Sequence, residues 1–222
     1  MLKASNNLEK NINSKSILLK LSGEILSGNK GFGHDINFIK KIGEQIKEVV
    51  ENGYNLSIVV GGGNIYRGAS AAELGLDRSI ADYIGMLGTA INAITLQNIL
   101  ENLGLNVRVL SAIHMNTICE PFIIKKAQNH LKKGRIVIFS CGIGAPFFST
   151  DTAAVLRSIE MKCSLLIKGT KVNGIYDKDP KKFEDAKKFE KINYANILDN
   201  NLNIMDMTAI ALAKENKLPI KV

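Results

Sequence analysis

Two lysines end apolar, β-branched runs: Lys20 in SILLKL (16–21) and Lys168 in SLLIK (164–168). An ammonium at the end of a buried strand must emerge at the rim or meet an anion, because an unpaired charge is not tolerated inside. Glycine follows each of them closely, at Gly23 and Gly169. A third run, LSIVV (56–60), feeds three consecutive glycines within VVGGGNIYRG (59–68). Glycine bares the backbone, and amides left free at a strand-to-helix turn form a donor nest for an anion such as phosphate. Arg67, four residues beyond Gly63, can add a forked, charge-assisted contact. Lysines ending two strands beside such a nest suit phosphoryl transfer, where catalysis is mostly positioning and charge neutralisation. Two plainer readings stand beside this one: the glycines make only a tight turn, and Lys20 snorkels on an edge strand.

These residues need a frame. SILLKL, LSIVV, VRVL (107–110), RIVIFS (135–140), SLLIK and LPIKV (218–222) are mostly continuous apolar runs, as expected of strands buried on both faces. Between them lie helical periodicities. Ile36, Ile39, Ile42, Ile46, Val49 and Val50 follow an N-cap at Asp35 and stop at Gly53, and Tyr83, Leu87, Ile91, Ile94, Leu100 and Leu103 mark a longer helix ending at Gly104. The alternation predicts an α/β three-layer sandwich with a mainly parallel central sheet. In such sheets ligands bind beyond the carboxyl ends of the strands. KLSGE (20–24), GGGN (61–64) and CGIGAPFFSTDT (141–152) all fall at such ends and are expected to meet at one rim.

Other chemistries fit less well. No G-x-x-x-x-G-K-[ST] occurs, and Gly142-Ile-Gly144 opens like a dinucleotide fingerprint but runs into Pro146. Cys119, Cys141 and Cys163 are too scattered for a disulfide framework or a Cys-x-x-Cys pair, and His34, His114 and His130 are too scattered for a metal cage. No apolar run approaches a membrane span, the first sixteen residues have no secretory core, and a cytoplasmic protein is expected. The net charge of +8 favours anionic partners. The densest basic stretch, 177–191, is interleaved with acids and reads as a solvated loop; with Trp absent, nucleic acid is not the expected partner.

With these residues assembled, the chain resembles the amino acid kinase superfamily and, within it, the bacterial uridylate kinase family. The matching words are ILLKLSGE (17–24), GFG (31–33), VVGGGNIYRG, ADYIGMLGT (81–89), APFFSTDTAAVLR (145–157), KGTKVNGIYDKDP (168–180) and MDMTA (205–209), in family order. The double-phenylalanine loop and Asp82 separate this family from kinases of the same fold that phosphorylate carboxylates or carbamate. The resemblance implies transfer of a phosphoryl group from ATP, with Mg2+, to UMP in pyrimidine nucleotide synthesis. It implies that Lys20, Leu21, Ser22 and Gly23 contact ATP phosphates beside Gly63 and Arg67, and that Thr170, Tyr176 and Asp179 line the ATP base and ribose. Gly62 and Asp82 would hold UMP, and Ile143, Gly144, Ala145, Pro146, Phe147, Phe148, Ser149 and Thr150 would wrap it. Asp151 and Asp206 would orient lysine and magnesium near the transferred group, with Lys168 neutralising charge and no protein ligand to the metal assigned.

The same resemblance implies a homohexamer with GTP and UTP as effectors and places GTP control at Gly28, Asn29, Lys30, Gly31, Phe32 and Gly33, although that segment also reads as a glycine-rich connector. Departures are Ile143, where the family has threonine, and Asn173, where it has aspartate. A polar tail over 1–16, a kinase domain over 17–222 and the lack of the family's usual C-terminal helix and strand complete the expectation. A kinase with another acceptor, and a catalytically silent nucleotide-binding regulator, are the competing readings.

Overall fold

The computed structural model describes residues 15–66, 75–170, 172–180, 182–200, 202 and 204–222. The continuous apolar runs become strands, and their alternate residues enter two different cores. In β1 (Ser16–Leu21), Leu18 faces one core while Ile17 and Leu21 face the other. In β2 (Asn55–Val60), Val59 divides from Ile58 and Val60 in the same way. Both faces are covered, so neither strand needs the polar alternation of a half-exposed sheet.

The remaining strands of the main sheet are β3 (Val107–Ser111), β4 (Glu120–Pro121), β5 (Ile136–Ser140), β6 (Leu165–Gly169) and β9 (Ile220–Lys221). Their order is β4-β3-β5-β2-β1-β6-β9, and every neighbouring pair is parallel. A separate antiparallel pair, β7 (Ile175–Tyr176) and β8 (Lys188–Phe189), stands outside it. The 177–191 segment read as a solvated loop thus contributes a strand, because Ile175 and Tyr176 supply a partner that its own composition does not reveal.

Helices α1 (Gly23–Leu26), α2 (Ile36–Glu51) and α3 (Arg78–Asn102) follow β1 and β2. Ile39 and Ile46 of α2 pack with Ala93, Leu96 and Leu100 of α3 against one face of the sheet. The opposite face is covered by α4 (Ile124–Lys132), α5 (Thr150–Glu160), α6 (Tyr194–Asp199) and α7 (Met207–Glu215). The expected limits of α2 hold: Asp35 accepts from the Phe38 amide at 3.1 Å, and Gly53 adopts φ +82° beyond the last turn.

α3 differs from its sequence reading in two ways. Its 25 residues, with an 18-residue window of mean hydropathy 1.2, are long and apolar enough by length and composition to cross a membrane, although no uninterrupted apolar run is present. Thr89 and Asn92 are nevertheless buried in it among Ala93, Leu96 and Leu100, as in a core helix. The apolar stripe also does not all face inward. Leu100 is buried, whereas Ile80, Tyr83, Leu87, Ile91 and Ile94 are exposed.

From β1 the sheet builds toward β4 on one side, and the chain returns to β6 on the other. The topological switch point therefore lies between β1 and β6, where a ligand crevice opens at the carboxyl ends.

Candidate active site

Parallel register places Lys20 beside Lys168 at that switch point. Paired residues of neighbouring parallel strands share a face, so two ammonium groups would meet there without an anion between them. The first turn of α5 supplies it. Asp151 Oδ1 lies 2.6 Å from Lys20 Nζ, and Lys168 Nζ donates to Asp151 Oδ2 at 2.8 Å and to the Ile204 carbonyl at 2.5 Å. The helix N-terminus also favours this carboxylate.

Burial dominates the titration of Lys20 and pulls its pKa below the ordinary 10.5; Asp151 opposes that shift and Lys168 adds to it. For Asp151, burial alone would raise the pKa, but the two lysines outweigh it and hold the carboxyl below its ordinary 3.8. The cluster is therefore an ionised carboxylate clamped between two cations.

Asp206 supports it from the start of α7. It caps α7 by accepting from the Ala209 amide at 2.9 Å, and the same oxygen accepts from Thr152 Oγ1 at 2.8 Å. Its other oxygen accepts from Ser149 Oγ. Ser149 in turn caps α5 through the Asp151 and Thr152 amides, so Asp206 ties together the two helix starts that frame the lysines.

Two pockets adjoin the cluster. One, of about 390 Å3, brings Lys168, Thr170, Tyr176 and Asp179 together with Leu202 and Val222. The other, of about 160 Å3, joins Gly62, Gly63, Asp82, Ile143, Phe148 and Thr150. Packing requires glycine at two positions here, Gly62 and Gly23. A Cβ on Gly62 would stand 2.6 Å from the Gly85 carbonyl oxygen, and one on Gly23 would stand 2.7 Å from the Gly63 amide. The turn therefore presses its backbone onto α3 and α1 more closely than any side chain allows.

Asp82 holds the double-phenylalanine loop. It accepts from the Phe147 amide at 2.7 Å and from Arg78 Nε at 3.0 Å, while the Arg78 guanidinium lies 5.8 Å from the Phe147 ring centroid. Cys141 and Phe147 carry φ of +59° and +70°, so two non-glycine residues of this loop occupy left-handed backbone. Such conformations cost energy and persist where the surroundings enforce them.

Most of the residues read from the sequence converge. Lys20, Lys168, Asp151 and Asp206 form the cluster; Gly62, Gly63, Asp82, Ile143, Ala145, Phe148 and Thr150 line one pocket, and Thr170, Tyr176 and Asp179 line the other. Others sit at the margin. Leu21 is buried, and its carbonyl receives the Gly61 amide, while Ser22 precedes α1 without a side-chain capping bond. Phe147 is largely exposed, Gly144 packs its backbone on Ala112, and Ser149 serves as a cap. Gly28, Asn29, Lys30, Gly31, Phe32 and Gly33 line neither pocket, but the Gly33 amide bonds the Asn64 carbonyl at 2.8 Å. Arg67 lies outside the described residues.

Sequence reasoning passed over Tyr66, Met86 and Thr89, which also line the smaller pocket. Thr89 Oγ1 donates to the Met86 carbonyl and accepts from the Cys141 amide, both at 2.7 Å. The available signal was a threonine inside an otherwise apolar helix, which needs a partner when buried.

Comparison with known proteins agrees with this geometry. The sequence model of the Amino acid kinase family matches residues 15–222. A uridylate kinase of Rickettsia bellii is 58% identical over 212 residues, covering 96% of this chain and 89% of the relative. The crystal structure of UMP kinase from Bacillus anthracis superposes with a TM-score of 0.90 at 40% identity, covering 93% of this chain and 85% of that one. UMP kinase from Ureaplasma parvum gives a TM-score of 0.89 at 38% identity, with 93% and 88% covered. The chain belongs to the amino acid kinase family and, within it, to the uridylate kinases.

Proposed function

We propose that the chain transfers the γ-phosphoryl group of ATP to UMP, releasing ADP and UDP. The Lys20–Asp151–Lys168 cluster between two differently lined pockets carries this reading. Lys168 lines one pocket, and Thr150, next to Asp151, lines the other. The Thr170, Tyr176 and Asp179 side takes ATP, with Leu21, Ser22, Gly23 and Gly63 along its phosphates. The Gly62, Asp82 and 143–150 side takes UMP, and Arg67 is assigned to the ATP phosphates.

The chemistry asked of the protein is alignment and neutralisation. An oxygen of the UMP phosphate is already anionic, so in-line attack on the γ-phosphorus needs no general base. Lys20 and Lys168 offset charge on the transferring group, and Asp151 holds both ammonium groups in place before the substrate arrives. Such preorganisation removes reorganisation from the barrier. Asp206 keeps Ser149 and Thr152, and with them the start of α5, in register.

Magnesium enters as part of the ATP complex. Among the described residues no group of three His, Cys, Asp or Glu could hold a metal. Magnesium retains waters and phosphate oxygens, a mode that asks little of the protein.

The stripe of Ile80, Tyr83, Leu87, Ile91 and Ile94 supports assembly as a homo-oligomer, because apolar side chains at helical spacing on one exposed face suit an isologous contact. The hexamer of the family it resembles is the proposed state, with GTP and UTP as effectors and residues 28–33 as the GTP segment. Three free, buried cysteines fit a reducing, cytoplasmic setting in pyrimidine nucleotide synthesis.

ADP release from magnesium-ATP, compared across UMP, CMP, AMP, acetylglutamate and aspartate, tests the assignment. Turnover with UMP alone is expected. Turnover with a carboxylate acceptor would overturn it.

A further inference from the structure

Beneath the glycine turn, two buried amides close on each other. Asn92 Nδ2 donates to Asn64 Oδ1 at 2.6 Å, and Asn64 Nδ2 donates back to Asn92 Oδ1 at 3.1 Å. Asn92 Nδ2 also donates to the Gly61 carbonyl at 2.6 Å, and Asn64 Nδ2 to the Gly33 carbonyl at 2.7 Å. Both side chains are within one per cent of complete burial.

The pair has one orientation. A backbone carbonyl can only accept, so Gly61 fixes which end of Asn92 is the amine, and Gly33 does the same for Asn64. Asn92 Oδ1 is then the atom facing His34 Nε2 at 2.7 Å, and that ring nitrogen must carry the proton. His34 ends the 28–34 segment, and Gly33 bonds Asn64 through backbone and side chain together. Three elements distant in sequence thus share one hydrogen-bonded ring.

Apolar side chains could fill the same space, but they would leave the Gly61 and Gly33 carbonyls without these donors. The Gly61 peptide is held on both sides, its amide by the Leu21 carbonyl at 2.8 Å and its carbonyl by Asn92. The position of Gly62 and Gly63 follows from that peptide.

We propose that His34, Asn64 and Asn92 are positioning residues for the glycine turn, and that through them the conformation of residues 28–34 sets how well the turn holds the acceptor nucleotide. This inference rests on the assignment of Gly62 to UMP binding. It gives the 28–34 segment a physical route to the site that needs no ligand contact of its own.

The test uses His34→Leu, which removes the donor, and His34→Gln, whose Nε2 stands the same number of bonds from the backbone and restores it. The full chain is assayed for UMP-dependent ADP release and, separately, for amide hydrogen exchange over residues 61–66. His34→Leu is expected to raise the KM for UMP about tenfold with kcat changed less than about twofold, within the usual range of coupling between sites. Exchange over 61–66 should speed by a similar factor, and His34→Gln should return both readouts to parent values.

A folded His34→Leu protein with parental KM and exchange would overturn the proposal, as would a His34→Gln protein as impaired as His34→Leu. If the parent shows no UMP turnover, the acceptor assignment fails, and the exchange rates alone still decide whether His34 holds the turn.

Discussion

Lys20 and Lys168 stand side by side in the register of β1 and β6, and one carboxylate, Asp151, lies within 2.8 Å of both ammonium nitrogens. Neither lysine is tolerable there alone. The proposed role of the cluster in holding phosphate-like charge rests on these two ammonium groups meeting at the ends of neighbouring strands.

Replacing that anion leaves two facing cations. Asp151→Asn is expected to lower kcat by roughly two to three orders of magnitude, the scale of losing a preorganised charge contact. It should also destabilise the fold by about 3–5 kcal/mol, since breaking a buried ion pair strands its partners. Steady-state kinetics and urea unfolding read the two effects; an active, equally stable variant would exclude the clamp.

The pH dependence follows from the directions of the shifts. Asp151 is held below 3.8, so its contribution to stability is present above that ordinary value and is lost as the pH falls through the lower folded pKa. Melting temperature in acid should therefore fall more steeply for the parent than for Asp151→Asn. Lys20 is shifted the other way from most paired lysines. Its folded pKa lies below 10.5, so stability rises slightly as it deprotonates, while activity should fall at a pH below that ordinary value. A kcat/KM profile flat up to pH 10.5 would contradict a charged Lys20 in catalysis.

Asp82→Asn keeps its shape but loses the charge facing Arg78 and weakens the acceptor for the Phe147 amide. The KM for UMP should rise about tenfold while kcat changes little, the signature of lost uniform binding. Calorimetric titration with UMP alone measures it directly, and unchanged affinity would remove Asp82 from the site.

Two glycines of the smaller pocket should behave oppositely. A methyl on Gly62 meets the Gly85 carbonyl oxygen at 2.6 Å, so Gly62→Ala should destabilise by about 1–3 kcal/mol through overpacking. A methyl on Gly85 meets nothing within 4 Å, and Gly85→Ala in α3 should stabilise by about 1 kcal/mol through helix propensity. Thermal melts compare them. Because the space beside Gly85 belongs to the pocket, its variant should also bind UMP more weakly.

Ile91 lies in the middle of the exposed stripe of α3 and makes the sharpest test of assembly. Ile91→Glu should shift the mass measured by light scattering toward the monomer, with far-ultraviolet circular dichroism unchanged. Persistence of the parental mass would place the contact elsewhere.

What local chemistry could decide was legible in the residues. Strand runs, the Asp35 cap, the glycine stop at Gly53 and the positions of Lys20 and Lys168 at strand ends all follow from neighbours within a turn or a strand. Short-range sterics and alternation are properties of a segment, so they survive without the fold. The parallel sheet followed from the same alternation, because strands linked through helices must cross over in one hand.

Only the tertiary structure decided who meets whom. Asp151 reaches both lysines because the sheet sets β1 and β6 side by side at the start of α5, and Asp206 arrives from more than fifty residues further on to bond Thr152 and Ser149. The Asn64–Asn92 pair spans 28 residues, and His34 joins it from 58 residues away. The outward stripe of α3 likewise depends on which side of the helix the sheet occupies. Hydrogen bonds and ion pairs act over a few ångströms in space with no memory of separation along the chain, so a sequence can name the groups that need partners, but the packing of the sheet and helices chooses them.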